Sequence, residues 1–362
     1  MIELKSPQKK YKVCFVLPTL TIGGMERVMS ELAIYFAQKE NVEVHFLLMT
    51  KKERFYELPA NIRIYEPEFD FNVIGNRVTA QLKTLSFIRK KIKEINPDSV
   101  LSFGIKYNSF VLFSSLFLKP KVFVSDRCRP RSLGLVHDFL RAVLYRTAYG
   151  IICQTEIAKE IMFGITKHKN ITVIGNPLKN FNIPENTEKQ NVILSVGRMI
   201  DTKRFDVLIE FFKKTNYKDW KLIILGDGPE MPKLLELIKK LDLSENVFLP
   251  GNQKDLSEYY KSAKIFAFTS NSEGFPNALG EAMVAGLAPI CFNFVAGSAD
   301  LVINDKDGFL IPMGENELFI KKLQELMDNE NLQKKFGLEA KSHCEKFSLS
   351  GIGEQYYKFL TQ

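Results

Sequence analysis

Cysteine and histidine are scarce in this sequence of 362 residues. It has five cysteines, with no CxxC pair, and four histidines, with no HExxH or HxH spacing. Domains stapled by disulfides need dense cysteines, and zinc sites need closely spaced Cys and His ligands. The sequence therefore excludes a disulfide framework, predicts no metal site, and is typical of a reducing compartment.

Long apolar runs are also absent. The N-terminal segment MIELKSPQKKYK is charged, and the most apolar stretch, residues 110–124, is interrupted by Lys119, Pro120 and Lys121. A secretory signal needs a continuous apolar segment, and a membrane-spanning helix needs about 20 apolar residues. We therefore expect a cytoplasmic protein that is at most peripheral to a membrane.

Positive charge is concentrated in the first half of the chain. Residues 1–180 contain 28 Lys and Arg against 16 Asp and Glu, whereas residues 181–362 contain 22 against 26. Solvated helix faces explain most such runs, and attraction to an anionic membrane or acceptor explains many of the others. No nucleic-acid-binding motif accompanies the charge, so we expect no nucleic acid partner.

Short apolar, β-branched runs alternate with segments of helical period along most of the chain. The alternation stops once, at residues 176–190, which are rich in Pro, Asn and charge, as linkers are. Alternating strands and helices predict parallel sheets that are covered by helices on both faces. We therefore predict an α/β protein with two Rossmann-like domains, residues 1–175 and 191–345, that bind ligands at the carboxyl ends of their strands.

A glycine-containing turn follows the first predicted strand. Gly23 and Gly24 lie just before a predicted helix, where free backbone N–H groups can bind an anion. The pattern is not GxGxxG, so a dinucleotide site is not favoured. Two interpretations remain open, a plain turn and a contact with a phosphate or an acceptor.

Two cations follow the first strand of the second predicted domain. Arg198 lies at the strand end, and Lys203 lies five residues later, before the next helix. A guanidinium fork chelates phosphate oxygens and an ammonium adds a point charge, so the pair suits a diphosphate, although either residue alone is more often a surface charge. Gly226 marks another turn in this domain, either a plain tight turn or a ligand contact.

The most informative segment contains two glutamates eight residues apart. Glu273 lies in a predicted loop beside Gly274, and Glu281 lies about one turn into the next helix. A carboxylate on the inner face of that helix can accept hydrogen bonds from a ribose diol, and one in the loop can bind sugar hydroxyls or stabilise charge at an anomeric carbon. The other candidate substrate-binding residues of the segment are Phe275, Pro276, Asn277 and Ala278.

Together these motifs resemble family 4 of the retaining glycosyltransferases. The resemblance rests on Gly23-Gly24-x-Glu26-Arg27, Asn176-Pro177-Leu178, Gly197-Arg198 with Lys203, Gly226-Asp227-Gly228-Pro229, and the Glu-x7-Glu segment 273–281. It implies the GT-B fold, in which two Rossmann-like βαβ domains face each other across a deep cleft. The first domain would bind the acceptor and the second the nucleotide-sugar, and a C-terminal helix in residues 346–362 would cross back to the first.

The resemblance also implies the reaction. A hexose or N-acetylhexosamine would move from a nucleotide-sugar, which we expect to be UDP-linked, with retention of the anomeric configuration and without a cofactor or metal ion. Glu273, Arg198 and Lys203 are the expected catalytic residues. Where relatives carry Ser-Glu-His, this chain has Ser125-Asp126-Arg127, so the role of that His would fall to Asp126, to Arg127 or to neither.

Charge and resemblance together suggest the acceptor and the location. The predicted helix 84–95 combines apolar side chains with Arg89, Lys90, Lys91 and Lys93, which suits an anionic membrane surface. We expect a peripheral enzyme at the inner face of a bacterial plasma membrane that acts on a lipid-linked saccharide in capsule, lipopolysaccharide or other surface-glycan assembly. A soluble acceptor is the alternative, and an epimerase or a non-catalytic nucleotide-sugar-binding subunit would be a different class of protein.

Overall fold

The structure is a computed structural model that describes residues 10–69, 76–127, 134–181, 183–184, 187–295 and 297–362. The chain divides into two units, residues 1–177 with 349–362, and residues 178–348. The division between Pro177 and Leu178 falls inside the segment that we expected to be a linker, and residues 178–190 belong to the second unit.

The first unit is built on a seven-stranded parallel sheet in the order β3-β2-β1-β4-β5-β6-β7. Its strands are β1 (Tyr11–Leu17), β2 (Val42–Leu48), β3 (Arg63–Tyr65), β4 (Ser99–Phe103), β5 (Lys121–Ser125), β6 (Gly150–Cys153) and β7 (Ile171–Val173). The helices between them are α1 (Gly24–Ala37), α2 (Arg77–Ile95), α3 (Ile105–Ser115), α4 (Leu135–Leu144) and α5 (Glu156–Thr166).

Helices cover both faces of this sheet. On one face, Cys14 and Val16 of β1 pack in a cluster with Ile92 of α2 and Val111 of α3. On the other, the ring of Phe15 lies edge-on to Phe36 of α1, with 5.4 Å between centroids. Central strands that are buried on both sides are expected to be continuously apolar, which is the pattern that predicted this sheet.

The basic helix that we expected to dock on a membrane is α2. Its apolar side chains Ile88, Ile92 and Ile95 are buried in the core of the unit, and Arg89 donates to the carbonyls of Ser114 and Leu116 at 2.9 Å each. The expectation that α2 presents an apolar face to a bilayer is therefore wrong, because the sheet buries that face. Across the described ranges, no helix is both long and apolar enough to cross a bilayer.

The second unit has a six-stranded parallel sheet in the order β10-β9-β8-β11-β12-β13. Its strands are β8 (Val192–Val196), β9 (Lys221–Leu225), β10 (Val247–Gly251), β11 (Ile265–Phe268), β12 (Ala288–Asn293) and β13 (Phe309–Pro312). Its helices are α6 (Phe205–Lys213), α7 (Met231–Lys240), α8 (Ser257–Ser262), α9 (Asn277–Val284), α10 (Ser298–Leu301), α11 (Asn316–Asp328) and α12 (Glu330–Cys344).

This second sheet also has a core on each face. Ile193 of β8 packs with Phe212 of α6 on one side, and Leu194 packs with Leu279 and Met283 of α9 on the other. Neighbouring residues of one strand point to opposite faces, so a buried pair such as Ile193 and Leu194 means that helices cover both. Two parallel sheets with alternating helices confirm the predicted α/β class with two Rossmann-like units.

The chain returns to the first unit in its last helix, α13 (Leu349–Leu360). The hydroxyl of Tyr11, at the start of β1, donates to the carbonyl of Leu360 at 2.7 Å. The rings of Phe123 in β5 and Phe359 lie 5.3 Å apart. Residues from the two ends of the sequence therefore share one core.

Candidate active site

Three of the predicted loops meet at the carboxyl edge of the second sheet. The strand order reverses between β8 and β11, which lie side by side. The loops after β8, β9 and β11 begin at Gly197, Gly226 and Thr269. In open α/β sheets, ligands bind outside the carboxyl ends of the strands at the point where the order reverses. These three loops, which we call the donor loops, therefore form the candidate site.

The first two donor loops are joined through their backbones. The N–H of Met199 donates to the carbonyl of Asp227 at 2.9 Å, and the N–H of Glu230 donates to the carbonyl of Met199 at 3.0 Å. Gly226 has a φ of +133°, and a Cβ there would collide with the carbonyl oxygen of Gly197. Because only glycine tolerates both conditions, the tight turn is sufficient to explain Gly226, and a ligand contact there stays a prediction.

Lys203 and Glu273 were predicted from separate motifs, and they form an ion pair. Lys203 Nζ lies 2.5 Å from Glu273 Oε1, and both side chains are 15% exposed. A backbone hydrogen bond from Asn271 to Thr202, 3.0 Å long, joins the same two donor loops. Charges that are largely removed from water stabilise each other only while both are present, so Glu273 holds Lys203 in its position.

Arg198 has a different environment. Its side chain is exposed just after β8, and among the described residues no carboxylate lies within 4.0 Å of its guanidinium. A guanidinium has five N–H donors in a planar fork, which matches the oxygens of a phosphate. The site therefore contains a cation paired with Glu273 and a second cation, Arg198, that can meet an anion from outside the protein.

The start of the Glu-x7-Glu segment is anchored in the second unit. Phe275 is 5% exposed, and its ring lies 5.8 Å from that of Phe347. Pro276 is buried, and a Cβ on Gly297, in the loop after β12, would collide with the Pro276 ring. Phe275 and Pro276 therefore support the donor loop that carries Glu273 and Gly274, both half-buried.

The rest of the segment forms the first turns of α9. Asn277 and Ala278 are half-buried in the first turn, and Glu281 is half-buried in the second. Gly280 faces the other way, since a Cβ there would press on the side chain of Leu178. The helix N-terminus and Glu281 thus lie at the carboxyl edge of the sheet, where the sequence placed them, and their ligand contacts stay predictions.

The glycine turn of the first unit lies at the N-terminus of α1, at the edge where β1 and β4 meet. Gly23 is the N-cap residue, and its carbonyl accepts a hydrogen bond of 3.2 Å from the hydroxyl of Tyr56. The Glu26 carboxylate folds over Gly23, and burial raises its pKa against hydrogen bonds from its own N–H and from Thr19. An acidic side chain over these N–H groups disfavours a second anion there, and a contact with the acceptor stays a prediction beside the plain turn.

Asp126 is the centre of a buried polar network. Its carboxylate accepts hydrogen bonds from the Tyr145 hydroxyl at 2.6 Å and the Asn108 amide at 3.1 Å, and it pairs with Arg141 at 3.2 Å. Burial raises the pKa of Asp126, and these partners act in the opposite direction. The network joins the end of β5 to α3 and to α4, so it fixes elements of the first unit to each other.

Arg127 is also held inside the first unit. Its guanidinium donates to the Tyr356 hydroxyl at 2.6 Å and to Asn176 Oδ1, and it lies 3.5 Å from the centroid of the Phe103 ring. Burial lowers the pKa of Arg127, and the nearby Tyr356 opposes that shift. These contacts join β5 to α13, and a role for Arg127 in catalysis stays a prediction.

Comparison with known proteins identifies the family of this chain. Residues 178–343 match the family described as "Glycosyl transferases group 1". The chain is 30% identical over 341 residues to the amylovoran biosynthesis glycosyltransferase AmsD of Erwinia amylovora, with 91% of this chain and 94% of that protein covered. The chain belongs to the glycosyl transferases group 1 family. It is a glycosyltransferase, which confirms the predicted enzyme class and separates it from the epimerases.

Other similar proteins agree with this assignment. The "GalNAc-alpha-(1->4)-GalNAc-alpha-(1->3)-diNAcBac-PP-undecaprenol alpha-1,4-N-acetyl-D-galactosaminyltransferase" of Campylobacter jejuni is 26% identical over 361 residues, which cover 97% of this chain and 98% of that protein. The crystal structure of Anabaena HepE in complex with UDP and glucose has a TM-score of 0.77 at 16% identity, with 97% and 99% of the two chains covered. At that identity the likeness shows the fold, which is GT-B.

Part of the polar architecture of this glycosyltransferase was not predicted from its sequence. Asn108, Arg141 and Tyr145, which surround Asp126, carry no motif that links them to it. Arg141 lies on α4 and Tyr145 in the 3-10 turn that follows it, four residues later, so helical spacing puts them on one face, but their partner Asp126 lies just after β5, far away in the sequence. Across the described ranges, no three His, Cys, Asp or Glu side chains group to hold a metal ion.

Proposed function

We propose that this glycosyltransferase moves a hexose or an N-acetylhexosamine from a UDP-linked donor to a lipid-linked saccharide in the assembly of a bacterial surface glycan. The observation that carries the proposal is the pair of cations at the reversal of strand order, Arg198 exposed and Lys203 held by Glu273. Two Campylobacter jejuni relatives named for undecaprenol-linked acceptors, and the HepE complex with UDP and glucose, support the choice of acceptor and donor.

The proposed reaction retains the anomeric configuration. The oxygen of the acceptor hydroxyl bonds to the anomeric carbon on the same face from which the bond to the diphosphate oxygen breaks. The proton of that hydroxyl passes to the departing phosphate oxygen, so the products are a glycoside and UDP. No side chain needs to form a covalent intermediate, which suits a site whose acidic residue, Glu273, already pairs with Lys203.

Each predicted residue then has a defined part. Arg198 and Lys203 meet the negative charge that grows on the diphosphate, in place of a metal ion, and fixed donors aimed at developing charge lower an activation barrier effectively. Glu273 orients Lys203 and binds a hydroxyl of the donor sugar. Glu281, in the second turn of α9, accepts hydrogen bonds from the ribose diol.

Substitution of the two cations tests the site. We expect Arg198→Ala and Lys203→Met each to lower kcat/KM by about 30-fold to 1,000-fold, which corresponds to about 2–4 kcal/mol of lost transition-state stabilisation. The assay measures UDP release with the acceptor lipid present, and NMR coupling constants report the anomeric configuration of the product. Lys214→Ala is the matched control, because Lys214 is an exposed cation of the same unit that pairs with Glu317 at 3.2 Å.

Separate results would contradict separate parts of this proposal. If the turnover of Arg198→Ala stays within about twofold of the parent, the diphosphate does not bind at this site as proposed. An inverted product would contradict the same-face attack. Preferential use of a GDP-linked or CMP-linked sugar would contradict the UDP donor, and transfer only to water-soluble saccharides would contradict the lipid-linked acceptor.

We also infer that the enzyme binds an anionic membrane surface through its first unit. Helix α3 packs on α4, and α4 packs on α5. This helical layer exposes four large apolar side chains, Phe113 (54% exposed), Phe139 (68%), Val143 (50%) and Phe163 (50%). Their exposure to water does not stabilise the fold of a monomer. Apolar side chains in a unit with excess Lys and Arg suit the interfacial region of an anionic bilayer, and this supports a peripheral enzyme at the inner face of the plasma membrane.

A further inference from the structure

A cavity of about 750 Å³ lies at the amino edge of the second sheet, away from the donor loops. The residues of its wall that matter here are Lys189, Lys264, Gly286, Gln333, Lys334 and Lys341. Three of them come just before β8, β11 and β12, whereas the donor loops follow the carboxyl ends of β8, β9 and β11. A strand of five residues separates the two edges by about 15 Å. The volume is within the range of small-molecule sites.

Three lysines of this cavity form no ion pair, although its wall also contains Glu188 and Glu330, and the positive charges of Lys334 and then Lys264 lower the pKa of the Glu330 carboxyl. Lys189 Nζ donates to the carbonyl of Gly286 at 2.6 Å, and Lys264 Nζ donates to Asn191 Oδ1 at 2.8 Å, so both acceptors are neutral. Lys341 is half-buried on α12. In the part of the chain that the structure describes, no carboxylate lies within 4.0 Å of any of these three ammonium groups. An anion placed between them would offset their positive charge.

The electrostatics of Lys189 agree with this geometry. Burial, together with the positive charge of Lys341, lowers the pKa of Lys189 to about 8. Lys334 shows the ordinary arrangement for comparison, because it is 69% exposed at the rim of the cavity and pairs with Glu330 at 2.8 Å. The interior lysines therefore differ from the rim lysine in both exposure and partner.

Gln333 provides an independent observation in the same wall. The residue is 6% exposed, and its Nε2 donates to the carbonyl of Leu326 at 2.5 Å. Its Oε1 is buried and accepts no hydrogen bond within the described structure. A buried acceptor without a donor lowers the stability of the fold. A ligand hydroxyl or N–H group that donates to this atom would therefore be stabilising.

We propose that the cavity binds a small phosphate monoester that carries hydroxyl groups, such as a sugar phosphate or a nucleoside monophosphate. The phosphate lies among the ammonium groups of Lys189, Lys264 and Lys341, and a hydroxyl donates to Gln333 Oε1. Charge-assisted hydrogen bonds to phosphate are among the strongest that a protein makes, and the hydroxyl provides a donor for Gln333 Oε1. This site is distinct from the donor loops and does not depend on the proposed transfer reaction.

Titration calorimetry of the full chain tests the proposal, with ribose 5-phosphate and inorganic phosphate as probes. We expect the double variant Lys189→Gln/Lys341→Gln to weaken the binding of ribose 5-phosphate at least about tenfold. Gln333→Leu should weaken ribose 5-phosphate more than inorganic phosphate, because only the former has sugar hydroxyls that reach beyond the phosphate. Lys334→Gln, the rim control, and Arg198→Gln, the donor-loop control, should each bind within about twofold of the parent. Thermal melting of every variant shows that it folds.

Amine labelling gives a second, residue-specific measurement. An acylating reagent should modify Lys189 readily near pH 8, and ribose 5-phosphate should protect it, as mass spectrometry of the digested protein would show. Protection of Lys334 should be absent.

Several outcomes would overturn the assignment. One is no heat of binding from either probe up to about 10 mM. Another is binding that disappears in Arg198→Gln but persists in the double lysine variant, because the probe would then occupy the donor loops. Lysine-dependent binding of phosphatidic acid vesicles that ribose 5-phosphate does not displace would replace the soluble ligand with a lipid headgroup. If Arg198→Ala retains turnover while ribose 5-phosphate still binds in the cavity, that result would contradict the proposed transfer site but would leave the cavity as a phosphate site.

Discussion

Asp126 lies inside the first unit, with Arg141 as its ionic partner. The Arg141 side chain is 1% exposed, and without Asp126 its remaining carboxylate partner is Asp138 on its own helix. Removing one member of a buried pair costs about 3–5 kcal/mol, because the other charge stays uncompensated. We therefore expect Asp126→Ala to lower the free energy of unfolding by about 3 kcal/mol, measured by urea unfolding.

Two further variants distinguish a structural role of Asp126 from a catalytic one. Glu94→Ala removes a carboxylate that pairs with Lys91 at 2.7 Å on the surface of α2, and it should leave the urea midpoint unchanged. Asp126→Leu with Arg141→Met should recover much of the lost stability, since no unpaired charge remains. A variant Asp126→Ala that keeps the parent's midpoint but loses turnover would show instead that Asp126 acts in catalysis, as its position in the family pattern suggested.

The pair of Lys203 and Glu273 shows how far the sequence could predict the site. Each residue was predicted because it follows an apolar strand and lies in a loop that suits phosphate or sugar. Their contact could not be predicted, because it depends on β8 lying beside β11 although β9 and β10 come between them in the chain. Local periodicity identifies strands and loops, but the order of strands is set by packing across the whole sheet.

The bounds of whole strands and helices also show how much of the fold local sequence patterns can predict. The apolar runs Ser99–Phe103, Val192–Val196 and Lys221–Leu225 each predict a strand, and the structure has strands with these bounds, because inner strands of a covered sheet are apolar along their length. The edge strand β3 has three residues and one neighbour, so burial leaves little pattern in its sequence. The helical period of Leu135–Tyr149 predicts one helix, but α4 ends at Leu144, because the chain tightens into a 3-10 turn at Tyr145–Thr147.

The contact between the first two donor loops can be tested through its glycines. A Cβ on Gly226 would collide with the Gly197 carbonyl, whereas Gly251, at the end of β10, has a φ of +78° and open space around it. We expect Gly226→Ala to lower the free energy of unfolding by about 1–3 kcal/mol and to raise KM for the donor, because the loop that carries Arg198 must move. Gly251→Ala is the control for backbone strain alone.

One outcome for Gly226→Ala would contradict this prediction. Thermal melting and donor KM equal to those of Gly251→Ala would mean that the two loops separate freely. The close approach of Gly226 to Gly197 would then have no part in positioning Arg198.

At the scale of the whole molecule, the uneven charge and the exposed aromatic side chains lie in the same unit. We expect the protein to float with anionic vesicles at low salt and to be released at about 0.5 M salt, where charges more than about 4 Å apart are largely screened. Phe139→Glu with Val143→Glu should abolish flotation, because both side chains are exposed one turn apart on α4. Density-gradient flotation measures the fraction bound.

A matched change on the other unit completes this test. Leu235→Glu with Leu318→Glu adds the same two charges at exposed side chains of α7 (43%) and α11 (36%), and flotation should persist. No flotation of the parent at low salt, together with efficient transfer to a water-soluble saccharide, would contradict membrane binding and leave the transferase activity intact.

The position of α13 in the first unit has a consequence for biosynthesis. The second unit is one continuous stretch, residues 178–348, so it can fold as soon as it leaves the ribosome. The first unit cannot complete its core until Tyr356 and Phe359 emerge from the ribosome. The sheet that these two residues cover is synthesised much earlier. At about 5–20 residues per second, β5 waits roughly 12 to 47 s for the last helix, and β1, which is synthesised first, waits roughly 17 to 69 s. The nascent N-terminal half therefore spends the whole synthesis of the other half with apolar surface exposed to chaperones, and the unit translated first is the last to be finished.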